Sequence, residues 1–119
     1  MPMVGTLLGV QEPSFFILTA LAAQPLHGYG VMQAVAELSG GRLNLRAGTL
    51  YAALDRLSEE GLIVVEREEA VQGRLRRYYR LTDAGAARLA AEVEQLRANA
   101  ALAADHLRRR GLAGPSLAV

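Results

Sequence analysis

The spacing of apolar residues predicts an amphipathic helix between Arg46 and Gly61. Four apolar residues recur there at intervals of three and four, which places them on one side of a helix: Leu50, Ala53, Leu54 and Leu57. The opposite side is small near its start, where Gly48 and Ala52 lie. A helix that enters a DNA major groove, about 12 Å wide, favours small residues on that side. Taken alone, the same pattern is equally typical of a half-buried helix without any nucleic-acid role.

Two further helices are predicted before this one. The first begins at Glu12, where an acidic residue suits a helix N-terminus, and ends by Ala23. It is apolar nearly all round, which is typical of a helix buried in a small domain or at an interface. The second opens at His27 and continues to Leu38. No nucleophile or carboxylate pair accompanies His27, so a structural role at the helix start is favoured. The alternating segment Arg42–Leu45 predicts a short strand.

A β-hairpin is predicted after Gly61. The apolar, β-branched run Leu62–Glu66 is typical of a strand, Ala70–Gly73 of a turn, and Arg74–Leu81 of the returning strand. Four arginines and no acid lie on the returning strand: Arg74, Arg76, Arg77 and Arg80. Such a cluster repels itself unless something anionic offsets it, which favours contact with a nucleic acid. The alternative is a charged strand edge that merely deters aggregation.

The last helix is predicted to begin at a cap formed by Thr82 or Asp83. Six apolar residues alternate at spacings of four and three, which is a heptad pattern: Leu89, Val93, Leu96, Ala100, Ala103 and Leu107. By helical rise this stripe is about 28 Å long, too apolar to stay exposed. We predict a homodimer joined along the stripe, with Phe15 and Leu18 of the first helix contributing. Packing on the first helix of the same subunit is the intramolecular alternative.

These elements predict a mainly α chain with a small β-hairpin (α+β), arranged as a winged helix-turn-helix plus a C-terminal dimerisation helix. We assign residues 1–81 to the DNA-binding domain with an N-terminal arm, 82–110 to the dimerisation helix and 111–119 to a flexible tail. At 119 residues the chain is one domain, or one domain with an appendage.

Composition argues against several classes of protein. The chain has no cysteine and only two histidines, far apart in sequence, so we expect no metal and no cofactor. It offers no paired carboxylates and no nucleophile with a base, so we expect no catalytic residues. No apolar run reaches about 18 residues and no basic segment precedes the N-terminal apolar stretch. We therefore expect a cytoplasmic protein with no membrane partner.

The distribution of charge is more informative than the net charge of +1. All 13 basic residues are arginine, whose planar fork of donors suits phosphates and guanine edges. A GC-rich genome would produce much of the same bias. The position of the arginines in the hairpin therefore matters more than their number.

Five motifs in this order resemble the PadR family of bacterial transcriptional regulators. They are Pro25–Gly30, Leu38–Gly41, Gly48–Leu54, Glu60–Ile63 and Arg76–Gly85. The resemblance covers about Glu12 to Leu96. It implies a homodimer of winged helix-turn-helix subunits, normally repressing a nearby promoter through a palindromic operator and often responding to a small aromatic or lipophilic effector. With one helix after the hairpin, the chain is similar to the short-tailed subgroup, in which that helix dimerises.

The resemblance also implies roles for particular residues. Contacts with double-stranded DNA would come from six of them: Arg46, Thr49, Tyr51, Arg74, Arg76 and Arg77. Some short-tailed relatives stack planar drugs on a tryptophan of the last helix, but this chain has none. An effector pocket would therefore use aliphatic residues, phenylalanine or tyrosine. The alternative function is a winged-helix module whose arginines bind an acidic protein surface.

Overall fold

The computed structural model describes residues 12–111, which form four helices and three strands. In chain order they are α1 (Glu12–Ala23), β1 (Leu26–His27), α2 (Gly28–Leu38), α3 (Ala47–Glu59), β2 (Ile63–Val71), β3 (Arg74–Leu81) and α4 (Asp83–Arg109). This confirms the predicted α+β class and the winged helix-turn-helix. The predicted N-terminal arm and residues 112–119 of the predicted tail lie outside the described residues.

The core lies where α1, α2 and α3 meet the base of the hairpin. It is built from twelve buried residues: Ile17, Leu18, Leu21, Val31, Val35, Leu50, Ala53, Leu54, Leu57, Leu62, Ile63 and Tyr79. The four α3 residues predicted to share one side all belong to it. Because α3 buries that side, its opposite side is left facing solvent.

The start of α2 is fixed by His27, as the sequence predicted. Its extended backbone precedes the helix, and its Nδ1 atom accepts a hydrogen bond from the Gly30 N–H at 2.8 Å. The imidazole ring also packs against Tyr78 of β3, with ring centroids 5.3 Å apart. His27 therefore joins the helix-turn-helix to the sheet and has a structural role.

The sheet contains one strand that the sequence did not predict. It is antiparallel with strand order β1-β3-β2, and Leu26 and His27 of β1 pair with Tyr79 and Tyr78 of β3. The strand predicted at Arg42–Leu45 is wrong, because that segment is a loop.

Local hydrogen bonds account for this loop. The Leu43 N–H donates to the Ser39 hydroxyl at 3.0 Å, and the Asn44 side-chain amide donates to the Gly41 carbonyl at 2.9 Å. These bonds fold the segment back on the end of α2, so its alternating pattern does not lead to strand pairing.

The hairpin is longer than predicted and its register is fixed by a tight turn. Gln72 and Gly73 connect β2 to β3, with φ values of 52° and 78°. Two consecutive positive φ values are what a two-residue type I′ turn requires. The pairing continues from Val71 with Arg74 to Ile63 with Leu81, interrupted by a shift between Val65 and Arg67.

The start of α4 is attached to the end of α3. The Thr82 hydroxyl accepts a hydrogen bond from the Gly85 N–H at 2.9 Å and donates to the Gly61 carbonyl at 2.7 Å. The Thr82 N–H donates to the Leu62 carbonyl at 3.1 Å. A Cβ atom at position 85 would overlap that carbonyl oxygen, so this close approach requires glycine. The predicted cap at Thr82 is thus confirmed, and it ties α4 to the segment that follows α3.

The helix α4 has 27 residues, which corresponds to about 40 Å. Its N-terminal part contacts α1 and β3, and from Glu94 to Ala103 every residue is exposed in the single chain. Among residues 12–111, no helix is both long and apolar enough to cross a membrane.

Candidate nucleic-acid interface

The first turn of α3 presents a small, solvent-exposed surface. Arg46, Gly48 and Thr49 are all exposed, and a Cβ atom at position 48 would meet no atom within 4 Å. Arg46 occupies the N-cap position but makes no side-chain capping hydrogen bond. The first N–H groups of α3 therefore keep their capacity to bind an anion beside the Arg46 side chain. The acids of α3, Asp55 and Glu59, lie in its later turns.

Tyr51 lies one turn further along and spans the junction of α2 and α3. Its side chain is close to Gly28, where an added Cβ would overlap the phenol oxygen and its ring carbon. The residue nevertheless remains 46% exposed. Glycine at position 28 therefore allows the Tyr51 side chain to lie against the start of α2 while the residue stays partly exposed.

A cavity of about 670 Å³ separates the hairpin from the starts of α2 and α3. The residues around it that bear on function are Tyr29, Tyr51, Arg74, Arg76, Arg77 and Tyr79. Four of the six predicted DNA-contact residues thus share one concave surface. The other two, Arg46 and Thr49, lie outside this cavity at the exposed start of α3.

Tyr79 is a buried residue of the core that also lines this cavity. It is 4% exposed, and burial raises the pKa of its phenol, so the hydroxyl stays neutral at physiological pH. The Arg77 side chain acts against this rise of the Tyr79 pKa, whereas Asp55 and Tyr51 of α3 add to it.

The arginines of β3 are partly neutralised within the hairpin, contrary to the expectation that an external anion must offset them. The Arg77 Nε lies 3.1 Å from a Glu68 carboxylate oxygen, and this hydrogen bond is the main reason the Arg77 pKa is raised. The Arg80 Nε lies 4.0 Å from a Glu66 carboxylate oxygen. Neither Arg74 nor Arg76 has an ion pair within 4.0 Å among the described residues.

The acids responsible lie on β2, so the charge of the returning strand alone does not include them. Strand β2 carries Glu66, Glu68, Glu69 and one arginine, so the two strands together have a net charge of +2. A two-residue turn at Gln72 and Gly73 fixes the register, and counting outwards from it places Glu68 opposite Arg77. This pairing could therefore have been deduced from the sequence.

Two exposed residues beside the arginines were also missed. Tyr29 and Leu75 are each 63% exposed and border the cavity from opposite sides. The Gly-Tyr-Gly sequence at the start of α2 gave no hint of this, because a helix N-terminus becomes part of such a surface only through tertiary packing. Leu75 alternates with arginines on β3, and an apolar side chain at an exposed strand position was a usable signal.

The residues predicted to form a dimer interface differ in their exposure. Four residues on α4 are exposed: Leu96, Ala100, Ala103 and Leu107. Leu89, Val93 and Phe15 are half-buried, and Leu89 and Phe15 pack against the core of their own subunit. Leu18 is 0% exposed within the single chain. A side chain already buried in its own subunit has no surface to offer a partner, so Leu18 must be removed from the predicted interface.

The described residues show no metal site. Within residues 12–111, no group of three or more histidine, aspartate or glutamate side chains is placed to hold an ion.

Comparison with known proteins gives consistent matches. The model of the transcriptional regulator PadR-like family matches residues 17–91, more than half of the chain. A transcriptional regulator of Mycobacterium tuberculosis is 44% identical over 73 residues, which cover 61% of this chain and 64% of that protein. The chain thus spans less than two thirds of the length of this curated relative.

Solved structures show the same fold. A PadR family transcription regulator of Clostridium difficile has a TM-score of 0.67 at 24% identity, covering 80% of this chain and 97% of that one. Bacillus subtilis PadR, crystallised in complex with operator DNA, has a TM-score of 0.60 at 26% identity. That match covers 67% of this chain and 46% of the Bacillus chain.

Proposed function

Because this chain belongs to the PadR-like family of transcriptional regulators, we propose that it binds a palindromic DNA operator as a homodimer and represses the adjacent promoter. The observation that carries the proposal is the concave surface that Tyr51 shares with the arginine-rich hairpin, together with the exposed start of α3 just before Tyr51 in the chain. The operator-bound Bacillus subtilis PadR is a structural relative in which DNA is the partner.

In the proposed complex, α3 lies in the major groove and reads base edges with Thr49 and Tyr51. The exposed Gly48 leaves room for the close approach of the helix. Arg46 binds a phosphate beside the free N–H groups at the start of α3. The hairpin acts as the wing, with Arg74 and Arg76 on phosphates or in the minor groove. Thr49 and Tyr51 thus determine sequence preference, whereas the arginines supply general affinity.

The proposed dimer is joined along α4. Leu96 and Leu107 are 39% and 36% exposed in the single chain, and two small residues, Ala100 and Ala103, lie between them on the same stripe. Pairing this stripe with its copy removes apolar surface from water and lets the helices approach closely. A two-fold axis would then place the two α3 helices one DNA turn apart, roughly 34–36 Å.

The proposed effector is a small lipophilic or aromatic molecule that binds between α1 and α4. The α1 residues Phe15 and Phe16 are half-buried, and their rings meet edge to face with centroids 5.6 Å apart. A ligand there would release DNA only by binding one subunit arrangement more tightly than the other. Titrating hydrophobic phenols into the protein–operator complex tests this: no change in operator affinity at saturating ligand would rule out that class.

Equilibrium binding to DNA at several salt concentrations tests the proposal itself. Three phosphate-binding arginines per subunit give about six per dimer, so log K against log salt should have a slope on the order of −5. Thr49→Ala should weaken binding to the operator more than to random DNA. Equal loss on both would contradict the assigned role of Thr49. A chain that binds no DNA at low salt, but captures an acidic protein, would favour the alternative of a protein-interaction module.

A further inference from the structure

The glutamates of β2 lie within 4.0 Å of some arginines of the wing and not of others. The wing arginines are the four of β3: Arg74, Arg76, Arg77 and Arg80. Register places Glu68 opposite Arg77 and Glu69 opposite Arg76. Both glutamates are therefore next to an arginine across the hairpin, where opposite charges attract. Yet Glu68 pairs with Arg77 at 3.1 Å, whereas Glu69 has no ion pair with Arg76 within 4.0 Å.

The two pairs also differ in their neighbours, because Arg67 contacts Glu69. Its guanidinium lies 3.9 Å from the centre of the Tyr78 ring, a cation–π contact that holds it over the sheet. From there it binds a carboxylate oxygen of Glu69 and one of Glu66, each at 3.0 Å. The hydrogen bond from Arg67 is the largest cause of the lowered Glu69 pKa. Arg67 therefore binds one oxygen of the carboxylate that stands opposite Arg76.

The register shift between Val65 and Arg67 makes this arrangement possible. It brings Glu66 within 3.0 Å of Arg67 and 4.0 Å of Arg80, at the base of the wing. Among residues 12–111, Glu68 therefore binds Arg77 and Glu66 lies near Arg80, while Arg74 and Arg76 near the turn have no ion pair within 4.0 Å.

We propose that β2 determines which wing arginines reach DNA: Glu68 withholds Arg77 from phosphates, and Arg67 keeps Arg76 available by binding Glu69. The inference rests on the proposed DNA-binding function and adds three positioning residues to it, Arg67, Glu68 and Glu69. None of the three needs to touch DNA. Their effect is to confine the phosphate contacts to the turn end of the wing. This lowers the affinity for DNA of any sequence.

The size of the effect follows from counterion release. Each phosphate neutralised contributes about −0.9 to the slope of log K against log salt. If Glu68→Gln lets Arg77 bind a phosphate in both subunits, the slope should become steeper by about 1.8. The ratio of the variant's affinity to that of the wild type should then increase about 3.5-fold each time the salt concentration is halved.

The experiment compares Glu68→Gln with Glu94→Gln in the full chain, using fluorescence anisotropy on a random-sequence duplex at several salt concentrations. Glu94 is exposed on α4, away from the apolar stripe, so its substitution should not disturb the fold or the proposed dimer. Glu94→Gln also changes the net charge by the same amount as Glu68→Gln. We expect Glu68→Gln to bind at least about threefold more tightly at 0.1 M salt and with the steeper slope. In an Arg77→Gln background the advantage over Glu94→Gln should disappear.

A second pair of variants tests the role of Arg67. In the wild type Glu69 is held by Arg67, so Glu69→Gln should increase DNA affinity only slightly. In an Arg67→Gln background Glu69 is free to bind Arg76, so Glu69→Gln should increase affinity several-fold. Nitrogen NMR of the arginine Nε–H groups gives a readout independent of affinity, since the Arg77 signal should shift on DNA addition only when Glu68 is replaced.

The outcomes are distinguishable. If the wild type binds DNA but Glu68→Gln matches Glu94→Gln in affinity and slope, the inference is overturned and the proposed function stands. The same holds if the gain persists without Arg77, or if Glu69→Gln has one effect in both backgrounds. If the wild type binds no DNA at any salt concentration, the proposed function fails, and this inference with it.

Discussion

Replacing Gly48 with alanine should separate the stability of the protein from its binding to DNA. Gly48 lies in the first turn of α3, and an added Cβ would meet nothing within 4 Å. Alanine is favoured over glycine inside a helix by about 0.5–1 kcal/mol, and we take the lower value because the site is in the first turn. For a domain of this size, about 0.5 kcal/mol raises the melting temperature by about 2–4 °C.

The same methyl group should weaken binding to the operator. In the proposed complex the Gly48 side of α3 enters the major groove, where an added methyl has to displace DNA or tilt the helix. The cost of overpacking a close interface starts at about 1 kcal/mol, which corresponds to at least about fivefold weaker binding. A more stable protein should therefore bind its operator less well.

Two measurements decide this prediction. Circular dichroism follows thermal unfolding at one protein concentration, because the melting temperature of a dimer depends on concentration. Anisotropy with an operator duplex gives the affinity. A lower melting temperature would show that position 48 is not open. A higher melting temperature with unchanged operator affinity would show that the small side of α3 does not face DNA.

Three further predictions test other parts of the structure. Gly85→Ala should lower the free energy of unfolding by about 1–3 kcal/mol, because its methyl overlaps a backbone carbonyl that cannot move aside; thermal unfolding close to wild type would contradict this. Leu107→Glu should produce monomers in sedimentation velocity, whereas Leu102→Glu, 62% exposed and off the stripe, should leave dimers; matching behaviour of the two variants would refute the proposed interface. Arg76→Gln should make the salt slope shallower by about 1.8 per dimer. Arg80→Gln, which removes an arginine already near a glutamate, should change it less, and equal changes would refute the distinction.

The helices could be predicted from sequence because their signals are local. The apolar spacing of α3 correctly identified its buried side, and Thr82 was correctly named as a candidate cap for α4. His27 was assigned to the start of α2 for lack of catalytic partners, and its ring nitrogen does accept a hydrogen bond from that helix. Each of these features depends on residues within a few positions of one another.

The errors arose where distant residues meet. The strand β1 forms only because Leu26 and His27 lie beside β3, some fifty residues later in the chain. Leu18 was assigned to a dimer interface because α1 is apolar nearly all round, a pattern that does not reveal which side its own subunit covers. The pairing of Arg77 with Glu68 depended on considering both strands of the hairpin together.

Hydroxyl-radical footprinting of the protein on its own upstream region tests the central claim most directly. If two copies joined along α4 present matched α3 helices and wings, protection should appear as two equivalent patches related by a dyad, about 10–10.5 base pairs apart from centre to centre. Binding should saturate at two chains per site. A single asymmetric patch, or saturation at one chain, would contradict the account.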